Sequence, residues 1–185
     1  MKDVLKIHGS MFVLFKKFIQ NNYSKDAVLE LNKATEMLRT NYEMNQNYHA
    51  KEMFSIISIA SNYLGVSENE LKEKFGEYIV PDLLGLYSSY VNPEWKTFEM
   101  LQYTEHVMHK AVRTEATSAD PPILNITKVN PQLLMIDYHS RRRMASLAIG
   151  IIKGIAKYYN ESHKVHVTSM TNPNDERVQI KVEFE

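Results

Sequence analysis

The hydrophobic period of this chain shifts near residue 122 from helical to mainly strand-like, and that shift limits the folds open to it. Before it, apolar residues recur every three or four positions. Met11, Leu14, Phe15, Phe18 and Ile19 make one face, with Lys16 and Lys17 on the other. Beyond it period two prevails on either side of one more helix. Leu134, Ile136 and Tyr138 alternate with Met135 and Asp137, and Val165 and Val167 with Lys164, His166 and Thr168. Val178, Ile180, Val182 and Phe184 alternate with Gln179, Lys181 and Glu183. Helical periods followed by strand periods predict an α+β fold. It would have a helical N-terminal lobe and a C-terminal lobe in which helices pack on a four-stranded antiparallel sheet.

Local signals place the elements. The N-terminal MKDVLKIHGSMFVLFKKFI reads as a helix, and Asn22 to Leu38 as a second, with Val28, Leu31, Ala34 and Leu38 inward. Met53, Ile56, Ile57, Ala60 and Tyr63 mark a third, closed by Gly65. Ser67 and Glu70 form a capping box opening a fourth, followed by Leu71, Phe75 and Tyr78. Pro81 and Gly85 loosen that pattern. A long helix is expected over Glu94 to Arg113, stopped by Ala119-Asp120-Pro121-Pro122. Ile123 to Val129 reads as a strand turning at Asn130-Pro131. Met144 to Tyr159 reads as a helix with Leu147, Ile151, Ile152 and Ile155 inward.

A chain of 185 residues suits one domain in two lobes, here 1–65 and 66–185. Lys plus Arg and Asp plus Glu balance at 22 each, so nothing points to nucleic acid as a partner. With no cysteine there are neither disulfides nor thiolate metal ligands. No apolar run is long enough to span a bilayer, and no cleavage site follows the N-terminal segment, so a cytoplasmic protein is expected.

Taken on residue type alone, the seven histidines are dispersed, and each reads as a surface or hydrogen-bonded side chain. His106 and His109 lie three apart on one helix without an implied third ligand. His106 stands mid-helix between apolar residues, where an axial haem ligand could sit. A sharper group is Tyr138-His139-Ser140-Arg141-Arg142. Were this segment extended, Tyr138, Ser140 and Arg142 would project together as three donors toward a carboxylate or phosphate. Charge-assisted bonds of that kind contribute about 1.5–3 kcal/mol each. The plainer alternative is a strand end with a solvated basic run. Gly150 and Gly154 permit close packing against a neighbouring element, or against a flat cofactor. No Gly-rich phosphate loop, serine elbow or His-Glu-x-x-His motif is present.

Together these residues resemble the H-NOX family, the haem domains of bacterial gas sensors and of soluble guanylate cyclase. The resemblance rests on Glu105-His106-Val107, Pro121-Pro122, Tyr138-x-Ser140-x-Arg142 and Ala148-Ile149-Gly150-Ile151-Ile152-Lys153, in that order. His8-Gly9, the Phe18 to Tyr23 stretch and Phe75-Gly76-Glu77-Tyr78 extend it over almost the whole chain, behind a short N-terminal extension.

The resemblance implies one haem b. His106 would be the iron ligand, Tyr138, Ser140 and Arg142 would bind the propionates, and Pro122 or Pro121 would press on the porphyrin. Ile79 and Leu147 would form an apolar distal wall, with Met11 or Phe12 nearby. The distal tyrosine of oxygen-binding members falls on Leu147. Asn172-Pro173-Asn174-Asp175 stands where some members have a cysteine-rich zinc site, so structural zinc is not expected.

The implied function is a stand-alone sensor rather than an enzyme. It would bind nitric oxide, and also carbon monoxide, and regulate a separate histidine kinase or diguanylate cyclase. Nitric oxide would weaken the axial bond and shift the lobes. The rivals are a haem-free ligand or interaction module, separable by colour, and a peroxidase-like enzyme, separable by turnover with peroxide.

Overall fold

A computed structural model describes residues 5–35, 41–115 and 121–185. The expected inward position Leu38 and the Ala119-Asp120 part of the helix stop lie outside the described residues. Strand β1 (Lys6–His8) leads into helix α1 (Gly9–Asn22), then α2 (Lys25–Thr35), β2 (Asn47–His49), α3 (Ala50–Leu64) and α4 (Glu68–Leu86). A short 3-10 turn (Ser88–Tyr90) precedes α5 (Thr97–Tyr103), a π turn (Thr104–His109) and α6 (Lys110–Glu115). The remainder is β3 (Ile123–Asn130), β4 (Leu133–His139), α7 (Ala145–Tyr158), β5 (Val165–Ser169) and β6 (Arg177–Phe184).

The period-two segments form one four-stranded antiparallel sheet, as expected, and its order is β3-β4-β6-β5. Tyr138 pairs with Val178 and Ile136 with Ile180, which puts Leu134, Ile136, Tyr138, Val178, Ile180 and Val182 on one buried face. Helix α7 covers that face with Ile149, Ile152 and Ile155. A second core lies among the helices, where Phe15 and Phe18 meet Phe75 at ring separations of 5.0 and 5.6 Å. Helix α4 serves both. Leu71, Phe75 and Ile79 face the helical core, and Val80 and Leu84 the sheet core.

Helices α4 and α7 cross at backbone contact. A Cβ on Gly76 would lie 2.3 Å from the Leu147 carbonyl oxygen, and one on Gly150 would lie 2.0 Å from that of Glu73. The glycines therefore serve a helix crossing. Glu73–Lys153 and Glu77–Lys157 ion pairs span the same crossing.

The end signals at Gly65 and Ser67 hold. Gly65 closes α3 in the left-handed conformation at φ 67°, and Ser67 Oγ accepts the Glu70 N–H at 3.1 Å.

Three expectations are corrected. The N-terminal helix does not reach back through Lys6. Lys6–His8 pairs antiparallel with Asn47–His49, and strands of three residues are too short to show a period. Helix α4 runs through Pro81 instead of loosening there. An interior proline costs about 3 kcal/mol. Burial of the adjoining Ile79, Val80 and Leu84, each contributing roughly 1.5–3 kcal/mol, offsets it. The helix expected over Glu94 to Arg113 starts at Thr97 and is interrupted by the π turn. Among the described residues no helix is long and apolar enough to cross a membrane.

Candidate functional site

Between the two cores lies a cavity of about 300 Å³, whose wall takes residues from both, such as Met53 and Phe75 on one side and Ile136 and Ile180 on the other. That volume is at the lower end of the range usual for small-ligand sites, about 300–1,000 Å³. Its lining is mainly aliphatic, and its polar contributors are few: His8, Ser10, Thr104, His109, Tyr138 and Arg142 carry most of the side-chain heteroatoms.

Both His106 and His109 lie in the π turn, and one of them enters the wall. A turn closed by i→i+5 bonds takes up one residue more than an α turn, so it re-phases the helix that follows. Met100 and Leu101 are buried before it and Met108 within it; His106 is exposed and does not line the cavity, whereas His109 does. The sequence-based choice of His106 rested on its place mid-helix between apolar residues and on the family resemblance; by burial and lining, His109 is the candidate that the cavity offers.

His109 is held by a carboxylate one α turn earlier. Its Nδ1 lies 2.9 Å from Glu105 Oε2, and both side chains are 17% exposed. Burial alone would raise the Glu105 carboxyl, but hydrogen bonds from His109, Arg113 and the Leu124 N–H, with the charge of His109, outweigh it and hold the group at about 2. An ionised carboxylate can only accept, so Nδ1 is the donor in this bond and Nε2 is the nitrogen left to face a ligand. Nε2 has no hydrogen-bond partner among the described residues.

Around Arg142 the outcome departs from the extended geometry. Strand β4 stops at His139, and the Arg143 N–H donates to the Ser140 carbonyl at 3.1 Å, closing a turn with Arg143 at φ 53°. Tyr138 and Arg142 both line the cavity, but Ser140 does not. Ser140 is buried beneath the turn, and its Oγ accepts the Arg142 N–H at 3.2 Å. Burial pushes the Tyr138 phenol up, opposed by a hydrogen bond with Ser140, the charge of Arg142 and a backbone bond at Met144. Arg142 Nη1 donates to the Lys6 carbonyl at 3.0 Å, which ties this corner to β1.

Of the remaining expected residues, Pro121, Pro122, Leu147 and Met11 line the cavity. Ile79 is fully buried in the helical core and Phe12 packs there too, so neither reaches the wall. Sequence reasoning overlooked Glu105, although Glu105, His109 and Arg113 stand four apart in a row and could have been read as one helix face. It also overlooked His8 and Ser10. Their polar atoms satisfy each other at 2.8 Å, and burial lowers the His8 pKa.

The donor set has a chemical consequence. A free metal ion needs several protein ligands, and among the described residues no group of three or more His, Asp or Glu could hold one. One imidazole in an apolar cavity suits iron that brings its own equatorial ligands, as haem does. Arg142 supplies the charge that anionic substituents on such a ring require. The residues present fit haem.

The model of the family described as haem-NO-binding matches residues 8–167. No curated protein sequence gives a match. Among solved structures, an H-NOX protein from S. oneidensis in the Fe(II)NO ligation state is similar, with a TM-score of 0.83, 16% identity and coverage of 97% of this chain and 99% of that one. Unliganded Fe(II) H-NOX from K. algicida gives 0.84 at 17% identity, covering 97% of both chains. A structure from work on haem distortion in the H-NOX family gives 0.80 at 20% identity, covering 97% and 95%. At these identities the likeness concerns the fold.

Proposed function

Because the chain belongs to the haem-NO-binding, or H-NOX, family, we propose that it is a gas sensor holding one haem b through His109 and reporting nitric oxide to a separate signalling protein. Members of this family are haem-based sensor modules rather than catalysts. The observation that carries the ligand assignment is the His109 imidazole, in the wall of an apolar cavity with Nδ1 bonded to Glu105 and Nε2 without a partner among the described residues.

When bound, haem supplies ferrous iron with one position open to a diatomic gas. The protein's part is to hold and to exclude. His109 offers Nε2, Arg142 offers charge-assisted bonds to the propionates, and Tyr138 with Ser140 fixes the turn that presents Arg142. Pro121 and Pro122 supply stiff contacts on the same cavity. Leu147 and Met11 add apolar surface without a donor. Dioxygen gains from a donor because it takes on negative charge, whereas nitric oxide binds strongly without one, so this wall favours nitric oxide. Carbon monoxide would also enter. The partner would be a histidine kinase or a diguanylate cyclase.

The test has two stages. The absorption spectrum of reduced protein should change with nitric oxide and carbon monoxide, and air should give slow oxidation without a lasting oxygen complex. Hydrogen exchange across α1 and residues 97–115 should then differ between the nitric oxide and carbon monoxide forms. A ligand moves such an equilibrium only through unequal affinity for the two states. Identical protection in both gas forms would exclude signalling through the axial bond.

A further inference from the structure

Glu105 is a carboxylate turned inward beside the cavity, and both of its oxygens are taken. Oε2 accepts from His109 Nδ1 at 2.9 Å and from the Leu124 N–H at 3.1 Å, and Oε1 accepts from Arg113 Nη1 at 2.8 Å. Arg113 Nη2 also donates to the Pro122 carbonyl at 3.3 Å. One carboxylate therefore joins the π turn, α6 and the Pro122–Leu124 segment that opens β3. With side-chain exposure at 17% for both Glu105 and His109, solvent screens their bond weakly. A charged acceptor on one imidazole nitrogen pushes electron density toward the other. Such outer partners fix the tautomer and raise the basicity of a ligating histidine.

Resting on His109 as the iron ligand, we propose that Glu105 is a positioning residue that sets the strength of the axial bond. It locks the Nδ1–H tautomer and makes Nε2 a stronger donor. It also connects the imidazole to the start of β3, so that displacement of His109 is felt directly by the sheet. The carboxylate's charge, and not just its bulk, is what the axial bond depends on.

Two variants separate charge from shape. Glu105→Gln keeps the size and an acceptor oxygen but removes the charge; Glu105→Ala removes both. In reduced, gas-free holoprotein, resonance Raman spectroscopy reads the iron–histidine stretch. That frequency should fall in both variants, with Gln closer to Ala than to wild type, and the midpoint potential should move positive. The haem dissociation constant should rise about 10- to 100-fold in Glu105→Ala. A stretch in Glu105→Gln equal to wild type means a purely structural tie and overturns the proposal.

A second measurement needs no variant. Proton NMR of the diamagnetic ferrous carbon monoxide form should show a far-downfield Nδ1–H resonance from His109, and absence of that proton also overturns it. His109→Gly keeps the two ideas apart. If it retains haem without added imidazole, the ligand assignment has failed. If it loses haem while Glu105→Gln leaves the stretch unchanged, the Glu105 proposal alone has failed.

Discussion

Around the cavity, the wall made by the π turn, α6 and the start of β3 is positioned by hydrogen bonds, whereas the wall made by α7 is positioned by close backbone packing. On the first, Glu105 gathers His109, Arg113 and the Leu124 N–H around one carboxylate. On the second, Gly150 and Gly76 let α7 and α4 approach until one helix's carbonyls touch the other's backbone, and Leu147 and Ile151 follow as passive apolar surface. Directional bonds fix where an atom points; packing fixes how far away a surface lies. A sensor of this kind needs both, an aimed ligand on one side and a featureless, water-excluding surface on the other.

The largest effect should come from removing the aimed atom. His109→Gly should abolish haem retention, with recovery on adding imidazole, while His106→Gly should leave the absorption spectrum unchanged because His106 is exposed and off the wall. Loss of haem in the His106 variant instead would break the comparison outright.

Next comes the packed wall. Gly150→Ala places a methyl 2.0 Å from the Glu73 carbonyl oxygen, which backbone cannot yield without moving α7. Overpacking of this kind costs about 1–3 kcal/mol, so calorimetry should show Tm falling by roughly 3–10 °C. An unchanged Tm would mean the crossing is looser than its geometry states.

Arg142 lines the cavity from the turn before α7, and its variant sharpens the contrast. Arg142→Ala removes a charge-assisted bond worth about 1.5–3 kcal/mol, so haem affinity measured by transfer to an apo-acceptor should drop about 10- to 100-fold. Arg141→Ala should leave affinity within a factor of two or so, since residue 141 is exposed and away from the cavity. Arg143→Ala should do the same, because Arg143 pairs with Glu176 at the surface.

The smallest expected change gives the passive wall a donor. Leu147→Tyr adds a hydroxyl that can bond a polarised gas, and one neutral hydrogen bond of about 1 kcal/mol should lengthen the dioxygen complex several-fold in a stopped-flow spectrum. An equal lifetime would show that the hydroxyl is held away from the open position.

Much of this was legible in the sequence, and the parts that were not share a cause. The sheet could be read because period two maps each residue to a face without reference to anything else, so Leu134, Ile136, Tyr138, Val178, Ile180 and Val182 were assignable from spacing. The α3 end at Gly65 and the α4 start at Ser67 were likewise local chemistry. Local rules misled where tertiary contacts override them. Pro81 sits inside a helix whose Ile79, Val80 and Leu84 are buried in the two cores. The three-donor reading of Tyr138, Ser140 and Arg142 required an extended chain, but the backbone turns after His139. Residue type and order placed a ligand histidine on the helix before Pro121-Pro122 and an arginine after Tyr138. Only the tertiary structure puts His109 in the cavity wall and leaves His106 exposed, because the side of a helix that meets a cavity is decided by the elements packed around it.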